Sequence, residues 1–163
     1  MRFCDAEMRR RHEALHAVAE SDDPVAAIRV SRARGRALRG LSRFAESVDM
    51  SLAAAKAARG LGWLWAAVEA FQQVGLDAYG RSDFRLALAA WSERLAIDEA
   101  RGARPGIAGT LGNLGLVHQA LDEYPKALEY QERALKLMEE LGDRAGVAGT
   151  LGSIGSIHYS LGD

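Results

Sequence analysis

Residues 106–121 read GIAGTLGNLGLVHQAL, and residues 146–161 read GVAGTLGSIGSIHYSL. The second stretch is the first displaced by forty residues, with glycines, threonine and histidine held in register. The same offset runs backwards through weaker copies. Gly115 and Gly155 match Gly75 and Gly35, Leu114 and Ile154 match Val74, and an aromatic recurs at Phe44, Phe84 and Tyr124. Gly62, Gly102 and Gly142 form a further column, placed where helices should end. A fixed period of this length marks stacked repeats, in which each unit buries its apolar face against its neighbours.

Each period holds two helical patterns. In DEYPKALEYQERALKLMEELGD, residues 122–143, apolar side chains at 124, 127, 128, 134, 135, 138 and 141 share one helix face. Pro125 suits a first helical turn and Gly142 a C-terminal cap. The pattern predicts helices over 3–20, 24–41, 44–60, 63–80, 84–101, 105–121, 124–141 and 145–161. Connections this short force neighbouring helices to run antiparallel. The expected architecture is an all-α solenoid of about eight helices arranged as antiparallel hairpins, a single domain over 1–163. It divides into an N-terminal half repeat at 1–22, repeats at 23–62, 63–102 and 103–142, and a half repeat at 143–163.

The composition agrees: 48% hydrophobic, 26% charged and only three prolines in 163 residues, with helix formers abundant. No apolar run approaches the ~18 residues that span a bilayer. The N-terminus, MRFCDAEMRRRHEAL, lacks the apolar stretch of a secretory signal. Cys4 is the single cysteine, so neither an internal disulfide nor a cysteine metal cluster can form. These features predict a cytoplasmic chain without a cofactor and without a membrane partner. Net charge is −1, yet residues 1–43 carry ten Arg against six acids, and the remainder eleven Lys and Arg against sixteen acids. A basic end on an acidic body bears on partner choice.

Leu114-Gly115, Leu121-Asp122-Glu123-Tyr124, Ala127-Leu128 and Ala134-Leu135 together resemble the tetratricopeptide repeat. His118 and His158 stand where that family often has tyrosine, Gln131 replaces its second aromatic, and the proline at the repeat end is missing. The forty-residue unit is similar to the longer repeats of kinesin light chains, spindle-orientation adaptors and bacterial regulators. The resemblance implies a right-handed superhelix whose first helices line a concave groove. It further implies a non-catalytic scaffold that binds a protein or peptide there, as the regulatory part of a larger protein.

Arg29, Arg32, Arg36, Arg39 and Arg43 follow one another at spacings of 3, 4, 3 and 4, on one helix face. By the resemblance, the first four face the groove, as do Gln72 and Tyr79, Asn113 and Gln119, and Tyr159 in later repeats. Like charges on one face repel unless they are neutralised. The stripe therefore fits either an acidic partner held by bidentate guanidinium contacts, or pairing with acids such as Glu13 and Glu20. A nucleic-acid reader would want a wider basic surface with aromatics for stacking, so nucleic acid is not an expected partner.

Residues 12–16, HEALH, match the helical zinc-protease motif, with His12 and His16 as ligands and Glu13 as base. The forty-residue register instead places Ala14-Leu15 on the buried pair Ala134-Leu135, and the two histidines on variable outer positions. A zinc hydrolase through this motif stays open as a third reading, behind a protein-binding scaffold and a sensor of a small peptide signal. Neither catalytic nor metal-binding residues are expected.

The glycines at 109, 112, 115, 149, 152 and 155 read as small residues that let a paired helix approach closely. A phosphate loop would need a preceding strand. His118 and His158 recur at one repeat position and read as packing residues. Trp63, Trp65 and Trp91 read as packing between repeats, with Trp63 an alternative ligand anchor. The sequence stops where a second helix should begin. This predicts either a longer protein or self-association through helix 145–161, using residues 147, 150, 151, 154, 157 and 158.

Overall fold

The computed structural model describes residues 26–162, except 27, 30, 32, 34, 36, 39, 40 and 42. Predicted helix 3–20 and the HEALH motif lie outside the described residues, as do Arg32, Arg36 and Arg39. The chain divides into two compact units, residues 1–80 and 81–163. Every regular element among the described residues is helical. Six helices are described in full: α1 (Phe44–Gly60), α2 (Leu64–Gly80), α3 (Phe84–Ala100), α4 (Arg104–Ala120), α5 (Tyr124–Leu141) and α6 (Arg144–Leu161). Their bounds fall within one residue of those expected from the repeat. Helical residues between 26 and 38 lie in the predicted helix 24–41.

The boundaries are set by connections of two or three residues that share one design. A left-handed residue recurs every twenty positions: Gly62 (φ 72°), Ser82 (60°), Gly102 (62°), Asp122 (58°), Gly142 (69°) and Gly162 (81°). Behind four of them the next N–H reaches back five residues to a helix carbonyl. The pairs are Trp63 to Ala58 O, Ala103 to Asp98 O, Glu123 to His118 O and Asp143 to Met138 O, at 2.8–2.9 Å. This bond satisfies carbonyls that the ending helix leaves without partners. The next helix then starts on Asp83 or Asp143, whose carboxylates accept from Leu86 N and Gly146 N, or on Pro105 or Pro125 in the first turn.

In the first unit α1 packs on α2 through small side chains. Ala54, Ala55 and Ala58 of α1 and Ala66, Ala67 and Ala70 of α2 are all buried. Ile28 and Leu38 are buried as well, while Arg29 is exposed. Gly35 meets α1 at close range: a Cβ there would lie 2.8 Å from Ser51 Oγ, and Ser47 Oγ donates to Gly35 O at 2.7 Å. Arg43 is neutralised locally, its guanidinium gripping the Glu46 carboxylate through two 2.6 Å contacts.

In the second unit α4 is the central element, packed against α3, α5 and α6. Leu111, Leu114 and Val117 of α4, Ala127 and Ala134 of α5 and Ile157 of α6 form the core. Gln131 is also buried and donates to Gly112 O at 3.2 Å. His118, 8% exposed, stacks on Tyr130 with ring centroids 5.1 Å apart. Its Nδ1 lies 2.6 Å from Glu123 Oε2. Asp98 of α3 is buried, paired with Arg94 at 3.3 Å and Arg101 at 3.8 Å.

Several expectations are corrected here. Of the six glycines in α4 and α6 at 109, 112, 115, 149, 152 and 155, only Gly115 abuts a partner helix closely enough to exclude a side chain. At 109, 149, 152 and 155 a Cβ would meet nothing within 4 Å among the described residues. His158 does not repeat the burial of His118 but is exposed. Trp91 is buried as expected, whereas Trp65 is 55% exposed and stacks on Trp63 at 6.3 Å. Thr150 and Ile157, expected on the bare face of the last helix, are buried; Thr150 Oγ1 contacts Met138 Sδ of α5 at 3.2 Å.

Candidate ligand-binding face

The second unit places its two first-type helices, α4 and α6, side by side. Residues 109, 112, 116 and 119 of α4, spaced 3, 4 and 3, line up with 149, 152, 156 and 159 of α6. The alignment is physical, because Gln119 Nε2 donates to Ser156 Oγ across the two helices at 3.1 Å. Four of these eight positions are glycine. The result is a strip where helix backbone lies open, bordered by Leu116, Gln119, Asn113 and Ser156.

Tyr159 stands at one end of the strip with 86% of its surface exposed. Hydroxyls beside it are turned inward: Ser153 Oγ donates to Gly149 O and Ser160 Oγ to Ser156 O. They leave the strip less polar than its composition suggests. At the opposite end, Pro105, Ala108, Gly109, Met138, Leu141 and Asp143 line an apolar hollow of about 300 Å³. Gly109 belongs both to the lining of this hollow and to the strip. Such a surface offers an amphipathic aromatic, amide groups and a recess for an apolar side chain.

Charge at the margin is fixed by local pairing. The Glu123 carboxyl is held below its ordinary value of 4.5, chiefly by its hydrogen bond with His118 and then by Lys126 at 3.1 Å. The Tyr124 hydroxyl, which donates to Asp122 Oδ1 at 2.8 Å, is pushed above its ordinary 10.0.

Among the site residues expected from sequence, Asn113, Gln119 and Tyr159 are thus brought to one face of the second unit. In the first unit Arg29 is exposed, and Gln72 and Tyr79 are half-buried on α2. Leu76, one turn from both, is 47% exposed. Ser156 and the hollow beside Gly109 were not among the expected site features. Shifting Leu116 by forty residues leads to Ser156, and Gly109 signals the hollow. Among the described residues no three His, Cys, Asp or Glu side chains converge as a metal site, and no helix is long and apolar enough to cross a membrane.

Residues 106–163 match the family model of the tetratricopeptide repeat. This part of the chain is tetratricopeptide repeat. Solved structures of TPR-like repeat proteins extend the likeness over nearly the whole chain. BtubC (BKLC) from P. vanneervenii superposes with a TM-score of 0.80 at 18% identity, over 96% of this chain and 67% of that one. The Rap conjugation gene regulator of plasmid pLS20, solved with the Phr* peptide, gives 0.66 at 20% identity, over 97% of this chain and 43% of that one. A kinesin light chain-like protein of Podosopora anserina with nearly identical TPR-like repeats gives 0.73 at 12% identity, over 99% and 86%. At such identities the likeness is one of fold, and the chain spans less than half of the Rap regulator. No curated protein matches the sequence.

Proposed function

We propose that this TPR chain is a non-catalytic scaffold that binds a peptide or protein segment on the glycine-lined face of α4 and α6. The observation that carries the reading is the bare strip itself. Each interior glycine lowers helix stability by roughly 0.5–1 kcal/mol against alanine. At 109, 149 and 152 nothing in the fold fills the space gained. A ligand backbone laid along the strip would use that space, with Tyr159 as an amphipathic anchor and Gln119 and Asn113 as hydrogen-bonding groups. The Phr* peptide held by the Rap regulator supports a peptide as the ligand class. On this reading a small peptide signal is the alternative occupant to a protein segment.

The arginines at 29, 32, 36 and 39 extend the proposal to an acidic partner, and the cytoplasm is the proposed setting. The test is selection of peptides from a random library on the immobilised chain, followed by affinity measurement for the wild type, Gly152→Arg and Tyr159→Ala. A Cβ at 152 would meet nothing within 4 Å among the described residues, so Gly152→Arg starts its side chain in open space and blocks the strip. At least tenfold weaker binding is expected for each variant. Selected peptides that bind both variants as tightly as the wild type would sink the proposal.

A further inference from the structure

One position of the second helix changes its chemistry between repeats while keeping its place. Asp98 of α3 lies against Gly106 of α4, where a Cβ would come 2.5 Å from its Oδ2. Met138 of α5 lies against Gly146 of α6, where a Cβ would come 2.8 Å from its Sδ. Positions 98 and 138, like 106 and 146, are one repeat apart. The notch beside the glycine therefore holds carboxylate oxygens in one repeat and a thioether sulfur in the next. The Asp98 oxygens are held by Arg94 and Arg101. Met138 instead lines the hollow with Pro105, Ala108, Gly109 and Leu141, Asp143 being the one charged member.

The threonine that follows each glycine changes with it. Thr110 Oγ1 donates to Gly106 O of its own helix at 2.8 Å, whereas Thr150 Oγ1 turns to Met138 Sδ at 3.2 Å. Both threonines are buried. A thioether is only a weak acceptor, so a buried hydroxyl here has exchanged a carbonyl for a poorer partner. Sulfur carries two lone pairs, and this hydroxyl engages one of them. Met138 is half-buried and borders a hollow of about 300 Å³, so a small oxidant reaches it from solvent.

We propose that Met138 is a modification site, oxidised by hydrogen peroxide to the sulfoxide, and that this change closes the hollow to apolar side chains of a ligand. A lone pair of the sulfur attacks one peroxide oxygen and the O–O bond breaks. The oxygen now on sulfur gives up its proton, and the departing hydroxide takes it and leaves as water. The thioether loses two electrons and the peroxide gains them. The product puts a strong acceptor where a weak one stood, and Thr150 Oγ1 is already placed to donate to it. The equivalent notch at Asp98 has room for oxygen, so the fold accommodates the change. The hollow meanwhile acquires a dipole, which an apolar ligand side chain would have to desolvate. The regulatory half of the proposal rests on the hollow being part of the ligand face; the chemical half does not.

The two halves are measured separately. The intact chain is treated with hydrogen peroxide, and oxygen added at each methionine is followed by mass spectrometry of proteolytic fragments, with no ligand present. Met138 should be oxidised at a rate within about tenfold of free methionine, with the helical circular dichroism kept. Peptides selected on the untreated chain should then bind the oxidised chain at least tenfold more weakly. Met138→Leu, whatever its own affinity, should show no change of binding on peroxide treatment. Thr150→Val deprives the sulfoxide of its donor, so oxidation should lower the melting temperature of this variant more than that of the wild type. The proposal is overturned if Met138 in the folded chain resists peroxide, or if oxidation unfolds the chain. It is equally overturned if peptides weakened by Gly152→Arg bind the oxidised and untreated chains alike. A library that yields no peptide sensitive to Gly152→Arg overturns the ligand face and with it the regulatory half, while the oxidation rate still decides the chemical half.

Discussion

Gln131 occupies the space that Gly115 leaves, its Nε2 lying 2.8 Å from where a Cβ of residue 115 would stand. The amide is buried and tied to Gly112 O, so it cannot swing aside at no cost. Gly115→Ala should therefore lower stability by about 1–3 kcal/mol, the usual range for overpacking. Gly149→Ala and Gly152→Ala add the same methyl group where nothing lies within 4 Å. Each should raise stability by about 0.5–1 kcal/mol. Urea unfolding of the three variants checks the opposite signs; a common sign would mean that helix propensity alone governs these positions.

Ser82 and Asp122 adopt the left-handed conformation that glycine holds elsewhere in the connections, with φ 60° and 58°. For a residue with a Cβ this conformation is disfavoured by roughly 1–2 kcal/mol. Ser82→Gly should stabilise by about 0.5–1 kcal/mol once the added freedom of the unfolded chain is subtracted. Asp122→Gly relieves the same conformation but removes the acceptor of the Tyr124 hydroxyl at 2.8 Å. Loss of this exposed hydrogen bond offsets part of the relief, so the Asp122 variant should gain less than the Ser82 variant. Thermal melts of the pair distinguish the two cases.

The connections also explain how much of the fold was legible in the sequence. Helix ends could be read because Gly62, Gly102 and Gly142 mark every second one and the forty-residue register supplies the rest. The half period of twenty was hidden, since Ser82 and Asp122 do a glycine's work without its name. Partners across helices were less legible. That Gly115 meets Gln131 depends on how α4 and α5 rotate about their axes, and periodicity within one helix carries no such information. The glycine columns therefore suggested close packing throughout, while the fold has it at Gly35, Gly106, Gly115 and Gly146 and leaves 109, 149 and 152 open. Of the candidate face, Asn113, Gln119 and Tyr159 followed from repeat position, but the link from Gln119 to Ser156 needed two helices placed side by side.

Asp98 supplies a test of buried charge. Its side chain is 2% exposed, and the paired Arg94 side chain is 16% exposed. Asp98→Ala removes one partner and leaves the guanidinium largely enclosed, which should destabilise by about 3 kcal/mol or more. Arg101 is farther away at 3.8 Å and 39% exposed. Arg101→Ala should change stability by less than about 1 kcal/mol, as for most surface pairs. Denaturant midpoints for the two variants rank the contributions, and equal losses would refute the assignment of Arg94 as the main partner.

Glu123 links the end of α4 to the start of α5 and should make the hairpin sensitive to acid. Its carboxyl is held below the ordinary 4.5 by the hydrogen bond with His118 first, and by Lys126 second. A carboxylate whose folded value is depressed contributes stability in full above its unfolded value. That contribution is lost as pH falls from 4.5 through the lower folded value. Glu123→Gln cannot ionise and has no such contribution to lose. The melting temperature of the wild type should exceed that of the variant at about pH 6, and the gap should close by about pH 3. A gap that stayed constant across this range would place the stabilising role of residue 123 in packing or capping rather than in its charge.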